Sequence, residues 1–257
     1  MDADLRRNVA ETLLESYKWA EANHQILNFK MQLTHDLFCI LFYYRIINIA
    51  GAILTLELSD PPSPSIDNRA MTPILFRSAL EASIDLSNLL DDPDYGLHLE
   101  AAFSHEWKRL LSEATSGNKY LAALGELEGV EDMLAAYQAK LDELKEKGVL
   151  PLRALERFDL AGIEDKYRSV YPYLCAQSHN NLQALSSAHI EETGHSKRVM
   201  LHNKSHAGGS DLMDLLDCLN TASSRMHEEW GTKKTKASVA ALVARVDDFA
   251  ANAAKDL

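Results

Sequence analysis

Apolar residues recur at helical spacing along almost the whole chain, and polar residues fill the gaps between them. Residues 5–28 and 31–58 read as two long helices. The run Ser59-Asp60-Pro61-Pro62-Ser63-Pro64-Ser65 is a loop. A helix then starts at Thr72-Pro73, a capping residue followed by proline at the first helical position, and runs to about Leu90. Asp92-Pro93 repeats that start for a helix to about Ser116. Residues 118–128 and 130–147 read as two more, the second with Glu131 and Asp132 in its first turn and Lys145 and Lys147 before Gly148, which suits the helix dipole. Residues 149–162 form a connector with one short helix. Residues 163–188 read as a helix bent at Pro172. Residues 190–209 are a non-helical insertion, with a two-stranded hairpin expected around Thr193-Gly194. Residues 211–230 and 236–255 are the last two helices. No internal repeat and no alternation of strands with helices interrupts the pattern. The expected fold is all-α: one multi-helix bundle over residues 1–257, made of a long N-terminal helical hairpin (1–58), central helices (72–188) and C-terminal helices (211–255).

Composition and charge refine this picture. The longest apolar stretch, Leu37 to Leu58, is interrupted by Tyr43, Tyr44, Arg45, Asn48 and Glu57, so a core helix is expected rather than a membrane span. No apolar run follows the N-terminal Met1-Asp2-Ala3-Asp4-Leu5-Arg6-Arg7, so no signal peptide is expected. Cys39, Cys175 and Cys218 lie far apart, which points to reduced, buried thiols in a cytoplasmic protein. The net charge of −12 disfavours generic binding to nucleic acid or anionic membranes. Yet residues 194–210 contain no acid and carry Lys197, Arg198, Lys204 and three histidines, enough to draw an anionic ligand.

Two helices hold the candidate chemistry. On a helical wheel of residues 72–90, Arg77, Glu81, Asp85 and Asn88 fall in one narrow sector among apolar positions. Such a stripe is ordinarily a solvated face with an i,i+4 ion pair; the alternative is that it lines a polar cleft. In residues 163–188, Tyr167, Tyr171, Leu174, Cys175, Ser178 and Leu182 share one arc, with His179 at its edge and Asn180 beside it. Buried phenol and hydroxyl groups need partners. Arg77 and Glu81 supply them if the two helices face each other, while Ser178 can instead bond back to Leu174 O in its own helix.

Arg77-Ser78-Ala79-Leu80-Glu81, followed much later by Tyr171 and Ser178-His179 and then by a short insertion and two helices, resembles a family of uncharacterised bacterial helical proteins known only as a domain of unknown function. The resemblance covers roughly residues 30–230. It implies an all-α fold and supplies no activity. A more distant resemblance is to the HEPN superfamily of helical bundles, many of them metal-independent RNases and toxins, whose signature is an Arg, a polar residue and then four to six residues to a His in one helix. Arg168 to His179 is too long for that signature and Arg198 to His202 too short, so a HEPN-like site here would recruit Arg77 from another helix.

Other constellations are weaker. Glu21-Ala22-Asn23-His24 matches half of a di-iron motif with no second copy. His189, His195, His202 and His206 match no zinc module. Neither a metal nor a cofactor is expected. Three functional readings follow. In the first, the chain cleaves phosphodiesters of RNA or a nucleotide, in toxin or defence roles: His179 is the general acid or base, Arg77 stabilises developing charge, Tyr171 and Ser178 orient the substrate, Glu81 holds Arg77, and Lys197, Arg198, Lys204 and Asn180 bind the ligand. In the second, the same residues bind a small anion in a non-enzymatic sensor that dimerises through its long helices. In the third, they are a folding network only.

Overall fold

The computed structural model describes residues 3–27, 34–59, 71–179, 181, 186, 190–193, 196–199 and 210–253. Among them the chain is all-α with one small hairpin. The helices are α1 (Ala3–Asn23), α2 (Thr34–Leu58), α3 (Thr72–Asp91), α4 (Tyr95–Thr115), the one-turn α5 (Ala122–Gly125), α6 (Val130–Glu146), α7 (Ala154–Leu160), α8 (Glu164–Arg168), α9 (Val170–Ser178), α10 (Ser210–Trp230) and α11 (Lys233–Ala253). Strands β1 (Ile190–Thr193) and β2 (Ser196–Val199) pair antiparallel about the expected turn, Ile190 opposite Val199 and Thr193 opposite Ser196.

The boundaries follow from local chemistry. α1 stops at Asn23, whose side-chain amide donates back to Trp19 O at 2.7 Å and competes with continued helix. The expected helix over 118–128 is instead a 3₁₀ turn, Lys119–Leu121, followed by α5. Asn118 caps that turn by accepting from Tyr120 N, and Gly117 and Gly129 take positive φ (91° and 78°) at either end. α7 is the short helix expected in the connector, started by Glu156 accepting from Arg153 N at 2.7 Å.

The expected helix over 163–188 is corrected. It breaks at Ser169 (φ −111°, ψ −71°) and α9 ends at Ser178; residues 180, 182–185 and 187–188 of the expected span lie outside the described residues. Pro172 has no N–H for Arg168 O, and its ring crowds that carbonyl, so the interruption falls one turn before the proline. The result is two short helices in place of one bent helix, with α9 free to lie against α3.

α2 carries apolar residues around most of its circumference and packs one side against α1, α3 and α10. By length and mean hydropathy (1.9 over His35–Leu58) it qualifies to cross a membrane, yet Cys39, Tyr43, Ile46, Ala50 and Ile53 are wholly buried inside the protein. Arg6 clamps the N-terminal hairpin through two bonds to Glu57 (2.9 and 2.5 Å), and Thr72 Oγ1 donates to the same carboxylate, which joins α1, α2 and α3. α11 packs on α10 and α1, while α4 and α6 pair with each other.

Candidate functional site

The polar stripe of α3 is not a solvated face. It is covered by α9 at one end and by α7 at the other. Asp85 and Asn88 are buried, and Arg77 and Glu81 are partly covered, with side chains 24% and 30% exposed. Burying charges costs free energy unless each finds a partner, so the partners define the site.

At the α9 end, Glu81 Oε1 accepts two bonds, from Arg77 Nε at 3.1 Å and from the Tyr171 hydroxyl at 2.8 Å. The guanidinium is thus gripped along its Nε edge. Its other nitrogens point at α9: Nη2 donates to the Tyr171 oxygen at 3.4 Å and Nη1 donates to His179 Nε2 at 3.3 Å. For that last bond to form, Nε2 must be unprotonated and the ring proton must sit on Nδ1. Arg77 Cζ also lies over the Tyr171 ring, 5.4 Å from its centre. Tyr171 is held from behind by Phe158 (centroids 4.9 Å apart) and by a stacked Tyr167 (5.4 Å, 24° between planes). His179 stands exposed just past the end of α9, its backbone N–H still bonded to Cys175 O.

Burial pushes the Tyr171 phenol up to about 12, and its bond to Glu81 pushes the same way while Arg77 opposes. At neutral pH it remains a donor and cannot serve as a base. Partial burial works against the charge on Arg77, but Tyr171 and Glu81 more than offset it and its pKa rises. The cluster therefore presents a fixed cation and an imidazole at one exposed point, with the buried Tyr171 phenol committed to Glu81 behind them. That combination receives an anion and handles a proton beside it.

The α7 end of the stripe was not anticipated as part of any site. Arg157 reaches Asp85 through two bonds (2.9 and 2.6 Å), and Tyr95 OH donates to the same carboxylate at 2.6 Å. Arg157 Nη2 also donates to the backbone carbonyl of Glu81 at 3.4 Å, and Asn88 Nδ2 donates to Arg157 O at 2.9 Å. Burial raises the Asp85 pKa against the pull of Arg157. This second network braces the helix under Glu81. Its one visible signal was Asp85 four residues after Glu81; Arg157 sat in what read as a connector.

The remaining expected site residues divide. Ser178 does not join the cluster: its hydroxyl donates to Leu174 O at 2.9 Å, the backbone alternative. Lys197 and Arg198 lie on β2, where the register sets Glu192 opposite Lys197 and Glu191 opposite Arg198. Lys204 and Asn180 lie outside the described residues. Cys39 and Cys218 are buried, and burial raises both thiols to about 12, so neither is a nucleophile at neutral pH. Cys175 is only half-buried, against the expectation of three buried thiols. Among the described residues no group of three or more His, Cys, Asp or Glu side chains could hold a metal ion.

Fold and cluster together define a class: an all-helical bundle whose partly buried Arg–Glu pair is roofed by a tyrosine and a histidine from a second helix. The family described as "Family of unknown function (DUF5677)" matches residues 36–197, and the chain belongs to it. The matched span runs from α2 to β2 and contains Arg77, Glu81, Tyr171 and His179. No curated protein and no solved structure matches the chain.

Proposed function

We propose that the Arg77–Glu81–Tyr171–His179 cluster cleaves phosphodiesters, with RNA or a nucleotide as the substrate and without a catalytic metal. One observation carries this reading: the Arg77 guanidinium lies 3.3 Å from His179 Nε2 at an exposed point, so a cation and a proton acceptor meet where a phosphate can reach both. His179 Nε2 takes the proton of a ribose 2′-hydroxyl as its oxygen attacks phosphorus. The P–O2′ bond forms, the P–O5′ bond breaks, and the departing oxygen takes a proton from water. Arg77 offers its Nη edge to the pentacovalent oxygens, where a fixed donor contributes most. Tyr171, whose one hydroxyl proton goes to Glu81, accepts from Arg77 Nη2, and the two side chains together hold the guanidinium in register. An Arg and a His brought to one point is also what the HEPN resemblance implies, here assembled from two helices. In this reading the protein is cytoplasmic and dimerises through its long apolar helices; the exposed Leu37 and Leu41 on α2 support the dimer.

The test is incubation of the purified protein with total cellular RNA in EDTA, read on a denaturing gel beside His179→Ala and Arg77→Ala. Cleavage by wild type alone, with all three proteins melting within a few degrees of one another, is the expected result. Intact RNA with wild type, or cleavage that survives His179→Ala, overturns it. The second reading, a non-enzymatic site for a small anion, is favoured by the Arg77 guanidinium held in place by Glu81 and Tyr171; it expects nucleotide to raise the melting temperature with no product formed.

A further inference from the structure

We infer that the groove between α10 and α11 is a binding site for a small planar ligand, neutral or cationic, that carries a hydrogen-bond donor and acceptor side by side. The groove is a half-open cavity of about 270 Å³, remote in sequence from the Arg77 cluster. Its walls are apolar: Met213 and Leu216 on α10, Val243, Val246 and Ala250 on α11. Asn220 lines it as well. This side chain is only 5% exposed, and neither its amide oxygen nor its amide nitrogen has a hydrogen-bond partner among the described residues.

A buried carboxamide with no partner at either end is rare, because each unmet group keeps its desolvation cost. An apolar side chain of similar volume would close this wall more favourably, so the amide has a use that the folded chain alone does not reveal. The torsion that turns a terminal amide is soft, and a small rotation presents both its N–H and its C=O to the cavity. That pair complements an edge bearing an acceptor and a donor together, such as a carboxamide, an amidine or the edge of a nucleobase.

Size and charge narrow the class. A cavity of about 150 Å³ holds a single benzene ring, so this one takes a ring with a polar substituent. The Met213 thioether suits an aromatic face. Asp217 and Asp247 stand exposed at the rim, Asp217 paired with Lys166 at 3.5 Å, and Arg225 is turned to Asp91 at 2.6 Å, which leaves Asp247 as the excess charge. The mouth is therefore acidic and disfavours phosphates and carboxylates, the opposite of the Arg77 cluster.

The experiment uses the 257-residue chain and three ring probes of similar size: 1-methylnicotinamide (cationic), nicotinamide (neutral) and benzoate (anionic). Each is titrated by ligand-observed NMR against wild type, Asn220→Leu, Val243→Phe and Arg77→Ala. 1-Methylnicotinamide and nicotinamide are expected to bind wild type with Kd at or below about 1 mM, and benzoate at least about tenfold more weakly. Asn220→Leu removes the amide and Val243→Phe fills the space, so each weakens binding at least about tenfold, a ΔΔG of about 1.4 kcal/mol. Arg77→Ala leaves binding unchanged, which separates this site from the proposed catalytic one. No saturable binding of either expected probe to wild type, or equal binding to both groove variants, overturns the assignment and leaves a groove that holds water.

Discussion

Replacing Asp85 by leucine removes the most completely partnered charge in the polar stripe and strands Arg157. Its carboxylate accepts two bonds from Arg157 and one from Tyr95, all between 2.6 and 2.9 Å, and its side chain is 8% exposed. Removing one member of a buried pair costs about 3–5 kcal/mol, because the other charge stays behind without compensation. Arg157 keeps 22% of its side chain exposed and can partly rehydrate, which places the cost of Asp85→Leu near the lower end, about 3 kcal/mol. Arg157→Leu leaves the carboxylate with Tyr95 alone and costs about the same. The double replacement removes both charges and costs about as much as either single, for a coupling of about 3 kcal/mol. In a chain of this length each single variant should melt roughly 6–12 °C below wild type. Urea unfolding followed by circular dichroism, on all four members of the cycle, measures these values. A single-variant cost below about 1 kcal/mol, or a double variant whose loss equals the sum of the singles, would refute the claim that Asp85 and Arg157 brace α3.

Glu81, one turn earlier on the same stripe, should behave in the opposite way: its pair with Arg77 is 24–30% exposed, so Glu81→Gln costs at most about 1 kcal/mol in the same unfolding assay while RNA cleavage falls at least about tenfold. A Glu81→Gln protein of full activity contradicts the positioning role. His227 is wholly buried with neither ring nitrogen hydrogen-bonded among the described residues, and burial lowers its pKa from 6.5 to about 4. The unfolded chain binds that proton first as pH falls, so stability is complete above about pH 6.5 and declines towards pH 4 by about 3 kcal/mol. His227→Leu should flatten that part of the pH–stability curve, and an unchanged slope refutes the assignment. Gly231 joins α10 to α11 so tightly that an added Cβ would strike the His227 carbonyl. Gly231→Ala should cost about 1–3 kcal/mol in thermal unfolding, and a neutral effect would show that the turn can shift.

The helical class, the order of most helices, the helix start at Thr72 and the β1–β2 pairing were legible because each depends on short-range chemistry: hydrophobic period and where proline and turn residues fall; Thr72 itself does not cap, its hydroxyl going to Glu57 instead. Arg77, Glu81, Tyr171 and His179 were legible as two separate stripes, since a helical wheel shows which residues share a face. That the stripes meet was not legible. Residues 77 and 179 are far apart in the chain, and only the packing of α9 on α3 brings a guanidinium to an imidazole. The break at Ser169 was misplaced for a related reason: a proline in a helical pattern signals either a bend or a stop, and the neighbours packed on each side decide which. Ser178 followed the local option, because a bond to its own helix needs no partner helix. Arg157 gave no periodic signal, being on a helix of two turns, and its role arises because α7 lies across buried Asp85. Sequence determined what lies within a turn or two of each residue; the tertiary structure alone decided which buried charges meet, since a charge taken from water takes whatever partner the packed helices bring within reach.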